Sequence, residues 1–311
     1  MSRRRRRGGA LVRITDDHLA HWRRHGYVVV PELLTAAELA AIQANVRRYF
    51  PTDEEYRAAP ERYPKVGGWR ELPFVGDALN DLATHPELVS FAERVIGTTE
   101  ILLTQAILWG KYAGVGDHEQ QFHVDFMNNT LVYPRDDAPF VQTGTIVYLS
   151  DVTAELAPTC VVSREHTREP ASLVPSTRTR AQFPALYEKE VAVTARAGAA
   201  LLYAMNTFHR GSAFRARTGA RFSFHVVFRA KDSHWMGWSA WARSGPEPAL
   251  QRFLERASPR QRELLGFPAP GHPYWNEETL AGVAARYPGM DLTPYRDAFR
   301  DAAVCGGSRG T

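Results

Sequence analysis

Arg221-Phe222-Ser223-Phe224-His225-Val226-Val227-Phe228 is the stretch that most clearly sets the fold, because polar and apolar residues alternate along its first half. Successive side chains of a β-strand point to opposite faces, so Arg221 and Ser223 share one face and Phe222 and Phe224 the other. An arginine facing into a β-barrel is costly to bury unless a carboxylate pairs with it. Its planar fork suits a small dicarboxylate, with the Ser223 hydroxyl as an extra donor, although an arginine at a strand edge could also reach solvent.

This strand is the last of a block of β-like segments. Gly, Pro and Asp punctuate the gaps between them, and helical patterns lie mostly outside the block. The sequence therefore predicts a mainly β fold with helices, in which a double-stranded β-helix (jelly-roll, cupin-like) core is flanked by N- and C-terminal helices. The predicted strands are 101–112, 121–127, 141–149, 159–163, 190–194, 199–205 and 221–229.

Helix start and stop signals frame the β block on both sides. Thr35-Ala-Ala-Glu38 is a capping box ahead of an apolar-periodic run that ends near Phe50. Pro86 can begin a helix that Gly97 ends, and Ser258 is a candidate N-cap for a helix that begins at Pro259. Between the first two helices, the polar stretch 51–73 is expected to be a long loop. The predicted C-terminal helices are 248–257, 259–265 and 277–286.

Composition points to one globular domain. The 311 residues are 44% hydrophobic and 23% charged, no apolar run is long enough for a membrane span, and two cysteines provide no disulfide framework. The net charge of +4 depends on the Arg3–Arg7 run, which is expected to be part of a disordered tail at 1–14. We expect a single domain at 15–311, with a β core at about 101–230 and a helical extension at 235–305. A cytoplasmic location is expected, with no membrane or nucleic-acid partner, although the arginine run keeps a nucleic-acid-directed role open.

His123-Val124-Asp125 is a candidate metal-binding pair. In a chain with 11 His, the pattern H-x-D is expected by chance about once in two sequences of this composition. The pattern alone therefore does not indicate a metal site, and the residues around it must be considered. Residues i and i+2 of a strand share a face, and His209 follows the apolar run 199–205, where a strand would end and expose it. Two histidines and one carboxylate on one side of a metal are the ligand set of non-haem Fe(II) oxygenases.

The order of these motifs resembles the phytanoyl-CoA dioxygenase-like branch of the Fe(II)/2-oxoglutarate oxygenases, from about residue 16 to residue 231. The segment His21-Trp-Arg-Arg-His-Gly-Tyr-Val-Val-Val-Pro31 is similar to the family's entry into its first strand. His123-Val-Asp125 matches its H-x-D, Leu149-Ser-Asp-Val-Thr153 its L-x-D-V-T turn, and Ala197-Gly-Ala-Ala-Leu-Leu the strand before its distal histidine. One departure is Ser163-Arg-Glu-His166, where the family usually has P-G-S-H.

The resemblance implies an Fe(II)- and 2-oxoglutarate-dependent dioxygenase that consumes O2. Fe(II) would be held by the catalytic residues His123, Asp125 and His209. Arg221 would bind the distal carboxylate of 2-oxoglutarate. The remaining residues expected to line the cosubstrate pocket are Ser223, Lys111 and Thr145, although the Lys111 side chain could instead be solvated. Because related halogenases replace the carboxylate of H-x-D with Gly or Ala, Asp125 favours hydroxylation or a related oxidation.

The substrate is expected to be a small molecule. Trp69, in the polar loop, and Trp235, past the last strand, are candidate substrate contacts, although Trp235, Trp238 and Trp241 could instead pack the C-terminal helices onto the barrel. The 34 Arg and 4 Lys are associated with GC-rich bacterial genomes and suggest tailoring of a secondary metabolite. A cupin-like metal oxygenase without a keto-acid cosubstrate and a non-catalytic ligand-binding barrel remain alternatives.

Overall fold

A computed structural model describes most of the chain in eight segments. They are residues 6–7, 10–11, 13–115, 118–125, 142–167, 177–233, 241–245 and 247–306. Three stretches named in the sequence analysis lie outside these residues. They are the predicted strand continuation at 126–127, the segment 234–240 with Trp235 and Trp238, and part of the arginine-rich tail.

The strands form two principal antiparallel sheets. A six-stranded sheet has the order β3-β11-β7-β13-β5-β4, and a five-stranded sheet has the order β10-β8-β12-β6-β9. Separately, β1 pairs with β2. The strands are β1 (Arg6–Arg7), β2 (Ala10–Leu11), β3 (Tyr27–Val30), β4 (Gly68–Glu71), β5 (Ile101–Tyr112), β6 (Phe122–His123), β7 (Gln142–Tyr148), β8 (Thr159–Val161), β9 (Thr177–Arg178), β10 (Val191–Val193), β11 (Ala200–Ala204), β12 (His209–Gly211) and β13 (Ala220–Ala230).

The two sheets pack face to face, and one buried cluster between them contains side chains from both, among them Phe122 of β6 and Ile146 of β7. Helices cover the other face of the six-stranded sheet. This arrangement is the predicted mainly β jelly-roll core with flanking helices. The helices are α1 (Asp16–His25), α2 (Ala36–Val46), α3 (Asp53–Ala58), α4 (Asp77–Ala83), α5 (Pro86–Ile96), α6 (Pro184–Glu188), α7 (Pro248–Arg256), α8 (Pro259–Leu264), α9 (Glu277–Arg286) and α10 (Thr293–Gly306).

Strand β13 divides its side chains as its alternation predicts. Phe222, Phe224 and Phe228 lie in the cluster that packs against the helices, where burying each ring contributes roughly 2 kcal/mol. Arg221 and Ser223 belong to the opposite face, which looks across to the five-stranded sheet. The strand thus joins the apolar core on one side to a polar interior on the other.

The predicted helix caps are confirmed. The side chain of Thr35 accepts from the backbone N–H of Glu38, whose carboxylate accepts from the N–H of Thr35. Pro86 begins α5, and Gly97 ends it in the left-handed conformation, with a φ of 84°. Ser258 caps α8, which begins at Pro259. Each cap supplies partners for backbone groups that the helix itself leaves unpaired.

The prediction of a long loop at 51–73 is wrong in detail. It contains α3, a 3-10 turn at Pro60–Arg62 and the edge strand β4. Helix α3 buries none of its residues, and three of the four residues of β4 are exposed. Neither element therefore has the apolar periodicity that announces a helix or a strand.

The folded body begins earlier than the expected boundary at residue 15. Ile14 is only 1% exposed and belongs to the core beside the helices. The Arg13 guanidinium pairs with Glu38 at 2.8 Å and donates to the carbonyl of Leu33 at 2.7 Å. Across the described part of the chain, no helix is both long and apolar enough to cross a membrane.

Candidate metal site

His123, Asp125 and His209 converge at the interior of the barrel. His123 and His209 are direct partners on the neighbouring strands β6 and β12. One potential ligand atom from each residue lies within 4.8 Å of the others. Nε2 of His123 is 3.7 Å from Oδ1 of Asp125, and Nε2 of His209 is 3.4 Å from Oδ2. The structure brings all three predicted ligands together.

The local backbone differs from the prediction for two of these residues. Strand β6 ends at His123, so Asp125 lies just beyond it, held by a bond from its N–H to the carbonyl of Met205 at 3.1 Å. His209 begins β12 in the five-stranded sheet and does not simply end β11. The chain crosses between the sheets in the interval 205–208, which the apolar run alone does not reveal.

Each histidine is oriented by a backbone carbonyl two residues before it. Nδ1 of His123 lies 2.9 Å from the carbonyl oxygen of Gln121, and Nδ1 of His209 lies 3.0 Å from that of Thr207. A carbonyl oxygen only accepts, so these contacts require Nδ1–H on both rings. Nε2 is then the lone-pair nitrogen available to a metal, which is how protein surroundings commonly orient histidine ligands.

Asp125 is held as a carboxylate by its surroundings. Burial alone would raise its pKa, but His209, His123 and the Tyr203 hydroxyl together lower that pKa below its ordinary value. Burial alone would lower the pKa of His209, and the Asp125 carboxylate reverses this and raises it. Burial lowers the pKa of His123. Two imidazole nitrogens and a carboxylate on one side of a cavity fit Fe(II) and leave positions for other ligands.

Tyr203, which the sequence analysis missed, orients the carboxylate. Its hydroxyl donates to Oδ2 of Asp125 at 2.8 Å, and burial followed by the charge of Asp125 raises the pKa of Tyr203 well above its ordinary value. The ring lies over Gly144 on the neighbouring strand β7, where an added Cβ would come within 2.4 Å of the tyrosine Cζ. Gly144 thus leaves the space that the Tyr203 ring occupies.

Tyr203→Phe is expected to weaken Fe(II) binding by about 10- to 100-fold, because the carboxylate loses the donor that fixes its orientation. Equilibrium dialysis against Fe(II) under anaerobic conditions measures the change. Tyr112→Phe is the matched control, since its hydroxyl donates to the carbonyl of Pro51 at 2.6 Å on the helix-covered face of the sheet. Equal iron affinities for Tyr203→Phe and the control would remove Tyr203 from the site.

Arg221 lies in the same cavity as the three potential ligands. It is 8% exposed, burial lowers its pKa, and one Nη donates to the carbonyl of Ala157. Its Nε has no hydrogen-bond partner, and no carboxylate pairs with it among the described residues. A buried guanidinium in this condition fits an anionic ligand such as the distal carboxylate of 2-oxoglutarate.

The other predicted cosubstrate residues divide into two groups. Lys111 is the direct partner of Arg221 on β5 and lines the cavity, where its Nζ donates to the carbonyls of Ser212 and His118 at 3.2 and 3.3 Å. Ser223 is fully buried on the Arg221 face, with its Oγ 3.2 Å from Nε2 of His225. Thr145 does not belong to this face, which corrects the prediction.

The face of Thr145 follows from strand register. Its partners are Val226 on β13 and Leu202 on β11, and both belong to the core beside the helices. Side chains of directly opposed residues share a face, so Thr145 points away from the cavity, whereas its neighbour Ile146 lines it.

The cavity encloses about 510 Å³ and includes Trp69, one of the two predicted substrate contacts. Trp235, the other, lies outside the described residues. Trp241 donates from Nε1 to the carbonyl of Leu103 and packs against the core beside the helices. For this tryptophan, the alternative of packing between helices and barrel is therefore the one observed. Trp109 and His225 also line the cavity, although the sequence analysis did not single them out.

A family profile described as phytanoyl-CoA dioxygenase (PhyH) matches residues 22–221, nearly two thirds of the chain. The chain belongs to the phytanoyl-CoA dioxygenase family. The match begins in α1 and ends at Arg221, so it spans the three potential ligands. Fe(II) is the family's metal and 2-oxoglutarate its cosubstrate, and the protein is accordingly an iron- and 2-oxoglutarate-dependent oxygenase.

Solved structures share the fold at low sequence identity. The carbocyclase SnoK, described as non-haem, α-ketoglutarate-dependent and from nogalamycin biosynthesis, is 18% identical, with a TM-score of 0.54 over 76% of this chain and 92% of its own. EvdO2 from Micromonospora carbonacea var. aurantiaca is 16% identical, with a TM-score of 0.53 over 70% and 91%. HygX from Streptomyces hygroscopicus, with nickel, 2-oxoglutarate and hygromycin B bound, is 16% identical, with a TM-score of 0.51 over 70% and 88%. A search of curated protein sequences found no match.

The departure from the family's P-G-S-H turn is structurally compensated. Arg164–His166 form a 3-10 turn that Ser163 caps through its hydroxyl, which accepts from the N–H of Glu165. Glu165 pairs with Arg24 at 2.8 Å and with His25 at 3.2 Å, both on α1. Side-chain contacts to α1 thus fix the position of this turn, which lacks the family's Pro-Gly.

Proposed function

We propose that this PhyH-family oxygenase holds Fe(II) through His123, Asp125 and His209, binds 2-oxoglutarate through Arg221, and oxidises a small molecule. The observation that carries the proposal is a three-ligand cluster in one cavity with a buried arginine that has no carboxylate partner among the described residues. The ligand cluster and the arginine would bind opposite ends of one molecule. The metal would engage one end of a dicarboxylate, and the guanidinium would neutralise the other.

The cosubstrate residues act by position and charge. The Arg221 fork offers two parallel N–H donors to the distal carboxylate, a geometry that lysine cannot reproduce. The Ser223 hydroxyl, on the same face, adds a third donor. Lys111, whose Nζ already donates to two carbonyls, adds positive charge beside Arg221. These groups would select an anion of defined length and hold it in one orientation.

The remaining site residues prepare the metal position. Bound Fe(II) and 2-oxoglutarate would supply oxidising power, with O2 consumed and succinate and CO2 released. The chain contributes lone pairs at the two Nε2 atoms, a carboxylate oriented by Tyr203, and walls that limit access of water. The presence of Asp125 supports hydroxylation or a related oxidation over halogenation, which needs that position free.

Arg221 also bears on the two alternatives. A metal oxygenase without a keto acid has no use for a buried arginine whose Nε has no partner in the described part of the chain, and a non-catalytic barrel needs no oriented ligand triad. Both features support the 2-oxoglutarate-dependent function. We also propose that the described residues from Arg13 to Gly306 form one catalytic domain.

We propose tailoring of a secondary metabolite as the biological setting. SnoK is described as coming from nogalamycin biosynthesis, and a HygX structure contains hygromycin B. Both proteins share the fold of this chain, and the excess of arginine over lysine, which is associated with GC-rich bacterial genomes, supports the same setting. The cavity of about 510 Å³ has the size of a site for a small molecule with its cosubstrate.

Succinate release tests the proposed activity. The protein is incubated with Fe(II), 2-oxoglutarate and O2, first alone and then with members of a library of small secondary metabolites. We expect slow succinate formation without substrate and a large stimulation by at least one class of compound. Release of succinate that does not depend on Fe(II), or no release under any condition from protein shown to contain iron, would contradict the proposal.

A further inference from the structure

One wall of the cavity is left over when the metal and cosubstrate positions are assigned. The wall is the inner face of β4, β5 and the middle of β13. On β5 the side chains at alternate positions, Gln105, Ile107, Trp109 and Lys111, all line the cavity. Lys111 lies beside Arg221 at the cosubstrate end. The proposed function assigns the rest of this face no part in holding iron or 2-oxoglutarate.

Two tryptophans dominate this wall. Trp69 on β4 is the direct register partner of Trp109 on β5, so both side chains belong to the same face of the sheet. Both line the cavity. Trp69, on the edge strand, is 44% exposed. Burying a large apolar side chain of this kind under a ligand would release favourable free energy. One indole is exposed on the edge strand, and the other lies opposite it on the neighbouring strand, on the same face of the sheet.

His225 supplies a polar group beside this surface. Its ring centroid lies 6.1 Å from that of Trp109, and it lines the cavity two positions beyond Ser223. Burial, followed by the charge of Arg221, lowers its pKa to about 3, so the imidazole is neutral near pH 7. Nε2 contacts the Ser223 hydroxyl, and among the described residues Nδ1 has no hydrogen-bond partner.

The proposed role of Ser223 fixes the direction of this hydrogen bond. If the Ser223 O–H donates to the cosubstrate carboxylate, its oxygen must accept from His225, which places the imidazole proton on Nε2. Nδ1 then carries a lone pair and can only accept. A group bound beside it must therefore bring a hydrogen-bond donor, such as a hydroxyl.

The charges of the cavity favour an uncharged ligand at this wall. Asp125 is the only carboxylate among the described residues that line the cavity, and it belongs to the metal cluster. The two permanent cations, Arg221 and Lys111, lie together at the cosubstrate end. Lys111 lies two positions beyond Trp109 on the same face of β5, but its Nζ already donates to the carbonyls of Ser212 and His118. On the Trp69 side of Trp109 the described lining has no permanently charged group.

We propose that Trp69, Trp109 and His225 form the substrate subsite, and that it takes a neutral, flat ring system with a hydroxyl group at its edge. This inference rests on the proposed function, which assigns Ser223 to the cosubstrate and the cluster to iron. Flat rings gain binding free energy from offset or edge-to-face contact with indole, in addition to the free energy from the apolar area that they bury. A flexible saturated chain gains binding free energy only from the area that it buries, and it loses more conformational freedom on binding than a flat ring does.

Anaerobic equilibrium dialysis tests the subsite without turnover. Protein loaded with Fe(II) and 2-oxoglutarate is dialysed against 2-naphthol, 2-methoxynaphthalene, a neutral hydroxyanthraquinone and decanol. We expect the hydroxyanthraquinone to bind more tightly than 2-naphthol, and 2-naphthol about tenfold more tightly than its methyl ether, which lacks the donor. Decanol should bind most weakly.

Variants assign the binding to these residues. Trp109→Leu and Trp69→Leu should each weaken hydroxyanthraquinone binding, by about tenfold for Trp109. His225→Phe should abolish the preference for 2-naphthol over its methyl ether. Trp241→Leu, a tryptophan outside the cavity, is the matched control and should bind as the wild type does. Trp69 is exposed on an edge strand, so its variant keeps the test valid if Trp109→Leu fails to fold.

Several results would overturn the inference. They are no binding of any of the three ring probes, tighter binding of decanol than of the hydroxyanthraquinone, or wild-type binding by Trp69→Leu and Trp109→Leu. The same dialysis without Fe(II) and 2-oxoglutarate, beside a titration of iron-loaded protein with 2-oxoglutarate, separates the two proposals. Ring binding that depends on the tryptophans in protein that cannot bind 2-oxoglutarate would support the subsite and contradict the proposed function.

Discussion

Asp125→Ala is expected to lower Fe(II) affinity by about a hundredfold or more and to abolish iron-dependent succinate formation. The carboxylate is the only anionic member of the cluster, and both histidine Nε2 atoms lie within 4 Å of its oxygens. Changes to residues that merely orient a metal ligand cost about 10- to 100-fold, so loss of a ligand should cost at least as much. Iron content after anaerobic dialysis and succinate release are the two measurements.

The matched control is Asp151→Ala, at an exposed carboxylate that accepts from the N–H of Ala197 outside the cavity. Its iron content should equal that of the wild type. Full iron retention and turnover in Asp125→Ala would remove Asp125 from the ligand set and leave the H-x-D motif without its proposed role.

Arg221→Gln is expected to weaken 2-oxoglutarate binding by about a hundredfold or more while Fe(II) stays bound. Truncating one partner of a buried, hydrogen-bonded charge pair costs about 2–5 kcal/mol, because the other charge is left unpaired. Arg221→Lys should recover part of the affinity, since it restores the charge without the planar fork. Titration of iron-loaded protein with 2-oxoglutarate, by calorimetry under anaerobic conditions, measures both.

Arg229→Gln provides a control from the same strand. Arg229 lies on the same alternating face of β13, burial lowers its pKa, and it is outside the cavity lining. Its replacement should leave 2-oxoglutarate affinity unchanged. If Arg229→Gln and Arg221→Gln weakened binding equally, the effect would belong to the strand as a whole and not to a carboxylate clamp.

Much of the architecture could be predicted because its signals are local. The capping box at Thr35, the proline and glycine that bound α5, and the alternation of β13 each act within a few residues. Strand β5 matches its predicted limits because its long β-rich run leaves little ambiguity. The H-x-D pair, the distal histidine and the arginine were found by spacing and by family resemblance.

The parts that could not be predicted depend on pairing between distant strands. Thr145 faces away from the cavity because of its register with Val226, and a shift of one residue would reverse that face. Tyr203 looks like a core residue of an apolar strand until the fold brings Asp125 to its hydroxyl. Trp109 and Trp69 come to lie opposite each other on one face only through the pairing of β4 with β5. The sequence contains these residues but not their juxtaposition.

The charge-transfer band between Fe(II) and 2-oxoglutarate tests the central claim most directly, because the band requires both groups on one metal. Wild-type protein, His209→Ala and Arg221→Gln are titrated anaerobically with Fe(II) and then with 2-oxoglutarate. We predict a visible band in the wild type only after both additions, no band in His209→Ala, and a band in Arg221→Gln only at much higher 2-oxoglutarate concentration. Wild-type protein that contains iron and gives no band at saturating 2-oxoglutarate would contradict the account.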